Sequence, residues 1–203
     1  RVDFPYVTPK DAAPVDLLLI VTKEGGLLSA MGTASGFVGK DTLIISLLNG
    51  VTSEGIVAAR FGAENVLYSV AQGMDAVKEG NRLTYVHPGR IVLGEREAGE
   101  ISARVQKVAD FLNSHGVVCT PVGDMVRRQW GKLMLNVGLN QACMVFACDY
   151  SGVQEEGRPR DVMLGAMREA QKMAALEGYA ISEEEFSEWV ALLDSFSPEG
   201  KPS

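Results

Sequence analysis

Three polar side chains fall four apart in the otherwise apolar stretch KLMLNVGLN: Lys132, Asn136 and Asn140. Side chains spaced by four lie above one another on one face of a helix, so an ammonium and two carboxamides would form a ladder of about two turns. Leu133, Leu135, Val137 and Leu139 take the other faces, and the segment reads as largely buried. Polar groups placed there cost free energy unless they find partners, in the protein or in a ligand. A packed helix with polar residues at the edge of its buried stripe accounts for one or two of them, but less well for three in register. As chemistry, the ladder suits a small anion bearing hydroxyl or keto groups. The ammonium would pair with a carboxylate or polarise a carbonyl, and the amides would donate and accept hydrogen bonds.

Two further candidates sit after apolar runs. Asn49-Gly50 ends DTLIISLLNG and precedes a helical pattern, and Lys23 ends DLLLIVTK. In open α/β sheets ligands bind at the carboxyl ends of strands, near helix N-termini. Taken alone, Asn-Gly is more simply a turn and Lys23 an exposed strand-end lysine. GFVGKDT is not a phosphate loop: the first glycine of that motif would fall on Ala34, and Asp41 follows Lys40. The chain contains no GxGxxG fingerprint. His87 in VHPGR reads as a loop histidine, and Ser182 with Glu185 as a capping box at a helix start.

The elements that must position these residues follow from periodicity. Apolar runs at 15–22, 41–50 and 65–73 alternate with helical stretches at 26–38 and 52–62, where Thr52 or Ser53 is a candidate N-cap. The β-α-β-α-β order predicts a parallel, doubly wound sheet whose strands are covered on both faces. Residues 81–95 hold two short β-like runs broken by HPGR, a turn or tight loop. An amphipathic helix at 100–116, with Ile101, Val105, Val108 and Leu112 on one face, leads to a last strand at 117–122. Only helices follow, at about 124–148, 158–178 and 182–194, which places a domain boundary near residue 123.

The 203 residues suffice for one large domain or two small ones, and 46% hydrophobic residues for a core. A net charge of −7 argues against nucleic acid as the main partner. Cys119, Cys143 and Cys148 lack CxxC spacing and suit reduced, packed thiols in a cytoplasmic protein. No His/Cys/carboxylate set has metal spacing, and no stretch is apolar enough to span a membrane.

With these motifs in order, the chain resembles the ketopantoate reductase (2-dehydropantoate 2-reductase) family. The matching segments are DLLLIVTK, LLNG, KEGN, the signature helix RRQWGKLMLNVGLNQ and the closing KPS. The signature helix, W-x-K-x-x-x-N-x-x-x-N, is the most specific of them. The resemblance implies a partial Rossmann-type NADP-binding α/β domain over 1–123. It also implies a partial all-α substrate domain over 124–203, like the C-terminal domain of 6-phosphogluconate dehydrogenase. The glycine-rich fingerprint and a tail glutamate are then expected outside this sequence.

Carried over by position, Lys132 matches the proton-donating lysine, and Asn136 and Asn140 the substrate asparagines. Asn49 matches the asparagine that contacts nicotinamide and substrate. Gly50, Lys23 and Ala76 fall at cofactor-side positions, and Ser203 at a substrate serine. The implied reaction is NADPH-dependent reduction of 2-dehydropantoate to pantoate in pantothenate and coenzyme A biosynthesis, in a cleft between the sheet's carboxyl edge and the signature helix. A homodimer is left open. The family often has proline where this chain has Gln141, and a further substrate asparagine falls near Tyr150. Those departures leave room for a related reductase of another 2-keto acid. A non-catalytic helical interaction module is the reading from a different class, separated from the first two by NADPH binding.

Overall fold

The computed structural model describes residues 7–74 and 76–201. It divides between Met125 and Val126 into two compact units, each taken here by itself.

In the first unit, β1 (Leu17–Ile20), β2 (Leu43–Ser46) and β3 (Val66–Met74) pair in parallel, with Ile20 opposite Ser46 and Ile45 opposite Leu67. α1 (Leu27–Ala34) and α2 (Ser53–Phe61) supply the crossovers. The middle strands are covered, Ile44, Ile45 and Leu67 being wholly buried. β1 is not covered on both faces as its apolar run suggested: among the described residues it ends the strand order, and Leu19 is 44% exposed.

The sheet is also not all parallel. After β3 the chain makes a small separate hairpin of β4 (Val77–Glu79) and β5 (Arg82–Thr84), then returns as β6 (Pro88–Gly94), antiparallel to β3. No helix intervenes to carry the chain back to the starting end of the sheet, and antiparallel return is what a short connection permits. Of HPGR, only His87 lies in the short loop between β5 and β6; Pro88 already opens β6, where a missing N–H is tolerated. Gly89, at φ +71°, lets β6 close on β3: a Cβ there would lie 2.6 Å from the Gln72 carbonyl oxygen.

α3 (Ala103–Ser114) then crosses to β7 (Cys119–Pro121), parallel to β6, giving the order β1-β2-β3-β6-β7. Val105, Val108 and Leu112 of α3 pack with Ile45, Leu67 and Leu93 of the sheet. Ile101 does not join that face. Ser102 caps the helix, accepting from the Val105 N–H at 3.3 Å, so Ile101 lies before the helix and is exposed. The Thr52 side chain makes no cap bond at the start of α2.

The second unit is helical. α4 (Met125–Phe146) packs with a short α5 (Ser151–Gln154), α6 (Arg158–Leu176) and α7 (Glu183–Asp194). Met134, Leu135, Leu139, Met163, Met167, Phe186 and Leu193 form the core. The capping box is present: Ser182 Oγ accepts from the Glu185 N–H at 3.1 Å, and the Glu185 carboxylate from the Ser182 N–H at 2.8 Å. Arg160 forks onto Asp194 at 2.7 and 2.9 Å and also donates to the Val153 and Gln154 carbonyls. One guanidinium thereby ties α5, α6 and the end of α7 together.

Two glycines set how closely the helices meet. A Cβ on Gly131 would lie 2.4 Å from Trp189 Nε1, and one on Gly138 2.4 Å from Met167 Cγ and 2.8 Å from the Met163 backbone oxygen. Gly138→Leu should therefore cost at least about 2 kcal/mol by overpacking, read as a lower urea midpoint. Gly165, on α6 with nothing within 4 Å of its Cβ position, supplies the contrast: Gly165→Ala should gain about 0.5–1 kcal/mol of helix propensity.

Candidate functional site

α4 forms as its sequence predicts, and Lys132, Asn136 and Asn140 share one stripe of it, each half-buried. On one flank of the stripe lie the buried Leu135, Leu139 and Cys143, and on the other Met144 and Val145 are exposed. From Lys132 to Asn140 the helix rises about 12 Å, the length of a small carboxylic acid with its hydration. Burial disfavours the Lys132 ammonium and lowers its pKa from the ordinary 10.5. A base whose pKa falls on folding binds fewer protons in the native than in the unfolded chain. Its contribution to stability therefore rises with pH between the lowered value and 10.5. The Asn136 and Asn140 carboxamides can each donate and accept hydrogen bonds.

At the carboxyl end of α4 a cleft of about 700 Å³ is lined by Asn140, Gln141, Cys143, Met144, Ala147, Cys148, Asp149 and Lys201. The helix ends there in a reverse turn: the Ala147 N–H donates to Met144 O at 3.4 Å and the Cys148 N–H to Cys143 O at 3.1 Å. Ala147 takes the left-handed position at φ 50°, where glycine is the usual residue. Segment 198–200 is held beside this turn by bonds from the Tyr150 N–H to Gly200 O (3.0 Å) and from the Ser151 N–H to Pro198 O (2.9 Å). Asp149 stays ionised below the usual carboxylate range, mainly through the Ser151 hydroxyl and, more weakly, through Lys201. Tyr150, near which a substrate asparagine was expected, is committed to packing: its ring centroid lies 5.7 Å from that of Phe196, and a Cβ on Gly200 would meet it at 2.5 Å.

In the first unit the residues after β1 and β2 leave one edge together, since Ile20 and Ser46 are paired and the Leu47 N–H donates to Ile20 O at 3.0 Å. Lys23 and Asn49 are both exposed on that edge. Gly50 has φ +108°, with nothing within 4 Å of where a Cβ would stand. A loop with that opening fits close approach of a flat cofactor ring to the backbone. Ala76 comes from the next strand instead. It stands two residues after the end of β3. Ser203 falls outside the described residues.

Sequence reasoning missed a buried chain beneath the Asn49 loop. Ser69 Oγ donates to Ser46 O at 2.6 Å, Ser46 Oγ to Ser53 Oγ at 2.8 Å, and Ser53 Oγ to Glu54 Oε2 at 2.9 Å. Glu54 is wholly buried in the first turn of α2, where an anion is favoured. An acidic residue opening a helix is too common to have marked it. Asp149 and Lys201 were missed as cleft residues, because nothing in the local sequence shows that residues 149 and 201 meet.

Two family models match the chain: "Ketopantoate reductase PanE/ApbA" over residues 1–98 and "Ketopantoate reductase PanE/ApbA C terminal" over 124–203. A 2-dehydropantoate 2-reductase of Halobacterium salinarum is 28% identical over 185 residues, which is 90% of this chain and 60% of that protein. The crystal structure of 2-dehydropantoate 2-reductase from Geobacter metallireducens superposes at a TM-score of 0.85 and 27% identity, covering 98% of this chain and 66% of that one. D-mandelate dehydrogenase, solved with NADH and anilino(oxo)acetate, shares the fold at a TM-score of 0.80 and 23% identity, over 96% of this chain and 61% of that one. The chain thus spans about 60% of the length of the curated relatives it matches.

The turn that closes α4 offers a direct check of the geometry at the cleft. Ala147→Gly removes the left-handed strain and should raise unfolding free energy by about 1 kcal/mol, measured as a higher urea midpoint at unchanged slope.

Proposed function

Because this chain belongs to the ketopantoate reductase family, we propose that its protein reduces a 2-keto acid with NADPH, converting 2-dehydropantoate to pantoate for pantothenate and coenzyme A biosynthesis. The observation that carries the reading is the ladder on α4: a half-buried lysine of lowered pKa in register with two half-buried carboxamides. On this reading the Asn49-Gly50 loop, with Lys23 on the same edge and Ala76 just after β3, holds the dinucleotide. NADPH, when bound, supplies the hydride for the keto carbon.

The protein's own part is to place the substrate and handle the proton. Asn136 and Asn140 hold hydroxyl and carboxylate oxygens by donating and accepting hydrogen bonds, which fixes the face the keto carbon presents. Negative charge grows on the carbonyl oxygen as the carbon is reduced. The Lys132 ammonium donates a hydrogen bond to that oxygen and then its proton, leaving the alcohol and a neutral amine. Half-burial serves both steps, since a partly dry site strengthens the ion–dipole contact. A lowered pKa also makes the ammonium a better acid.

One set of observations favours a second substrate within the same chemistry. Gln141 and Asp149 face the cleft beside Asn140, and Tyr150 is occupied by Phe196 and Gly200. An ionised Asp149 prefers a hydrogen-bond donor, such as a hydroxyl, and repels a second carboxylate. A different hydroxylated or apolar 2-keto acid is the alternative.

The deciding experiment is NADPH oxidation by the full-length gene product over a panel of 2-keto acids that includes 2-dehydropantoate. Saturable turnover fastest with 2-dehydropantoate supports the reading, turnover led by another keto acid supports the alternative, and failure to bind NADPH refutes both. Lys132→Ala should lower kcat by about 10²–10⁴-fold in a folded protein, whereas Asn136→Ala should act mainly on KM. The profile of kcat/KM should fall on the alkaline side as Lys132 loses its proton, with a midpoint below the 10.5 of an ordinary lysine. A limb at or above that value would remove Lys132 as the acid.

A further inference from the structure

Neither the ladder nor the proposed reaction uses the two sulfurs in the cleft wall. Cys143 and Cys148 both line the cleft, both are thiols, and they differ in access: Cys143 is 3% exposed and Cys148 is half-buried. They stand at the two ends of the turn that stops α4, the Cys148 N–H donating to the Cys143 carbonyl at 3.1 Å. With standard backbone dimensions that bond keeps the two Cα atoms within about 7 Å, close to the range a disulfide bridges. In turns of this kind the side chains at those two positions commonly make contact, and the neighbouring Cys148 helps to push the Cys143 thiol up. Cys143 Sγ also donates to Asp149 O at 3.6 Å. Gly152 leaves the space that Cys148 fills, since a Cβ there would lie 2.8 Å from the Cys148 sulfur.

We propose that Cys143 and Cys148 are a reversible disulfide-forming pair that a hydroperoxide oxidises, and that bridging them reshapes the wall of the cleft at Asn140. Cys148, the reachable sulfur, attacks the peroxide as thiolate. The O–O bond breaks, one oxygen passes to sulfur as a sulfenic acid, and the other leaves as an alcohol or, from hydrogen peroxide, as water. Cys143 then attacks the Cys148 sulfur, the S–S bond forms, the S–O bond breaks, and the departing hydroxide takes the Cys143 proton as a further water. Two thiols lose two electrons and the peroxide gains them. Burial and the neighbouring Cys148 push the Cys143 thiol up to about 11, which suits a resolving sulfur that waits for the first to react. The bridge fixes a turn already strained at Ala147 and withdraws Cys148 from the wall of the cleft that Asn140 also lines.

The test uses the full-length gene product, reduced and then treated with one equivalent of hydrogen peroxide, alkylated with iodoacetamide and digested with trypsin. Both sulfurs fall in one peptide, residues 133–160, because trypsin does not cut at Arg158-Pro159. The expected peptide carries no alkyl group, is two hydrogens lighter than its reduced form, and reverts with dithiothreitol. Cys148→Ser should abolish the change, while Cys119 remains alkylated throughout. Alkylation of both cysteines after peroxide, or oxidation of Cys148 to sulfinic acid with Cys143 alkylated, would overturn the pair. This map is independent of turnover. The effect on the cleft rests on the reductase reading: bridging should raise KM for the keto acid severalfold in the wild type and not in Cys148→Ser, and an unchanged KM in protein shown to be bridged would overturn it.

Discussion

The close approach at Gly138 and Gly131 is the constraint on which the helical unit rests. α4 must be core and display surface at once. It can show a polar stripe only if its remaining faces bury enough apolar area to keep it fixed, and each well-buried Leu or Met contributes on the order of 1.5–3 kcal/mol. Met134, Leu135 and Leu139 do this, and the absent side chains at 131 and 138 let α7 and α6 press against the backbone itself. Without those gaps the same residues would sit too far apart to hold the lysine and asparagines at fixed height.

The sheet imposes a different kind of order. Parallel pairing of β1 and β2 sends Lys23 and Asn49 out of one edge, and the serine chain ending at Glu54 supports the loop from below. The reversal at β6 then lengthens β3 well past its parallel neighbours. Ala76 stands two residues after the end of that long strand.

Much of this was legible in the residues. The ladder, the signature helix, the Ser182–Glu185 cap and the alternating strands and helices depend on spacing, and spacing is local. The covered or exposed state of β1 depends on its place in the sheet's order, which no local pattern encodes. The direction of β6 turns on a connection that is short for lack of a helix, and the HPGR segment resembles a turn because proline and glycine serve strand openings and close backbone crossings as well. Asp149 and Lys201 reach one cleft from positions 52 residues apart, and only folding brings them together. Ile101 shows the limit in small: a helical repeat includes it, whereas a serine cap one residue later excludes it.

The strained turn after α4 does more than stop a helix. Its last carbonyls carry the negative end of the helix dipole, and the ionised Asp149 stands directly beyond them. An ammonium lies at the other end of the same stripe. The row Lys132, Asn136, Asn140 is therefore an electrical slope as well as a set of hydrogen-bonding groups. A molecule with a negative head and a neutral, hydroxylated tail has one favoured way to lie along it, and that polarity is set by backbone direction, whichever side chains line the rest of the cleft.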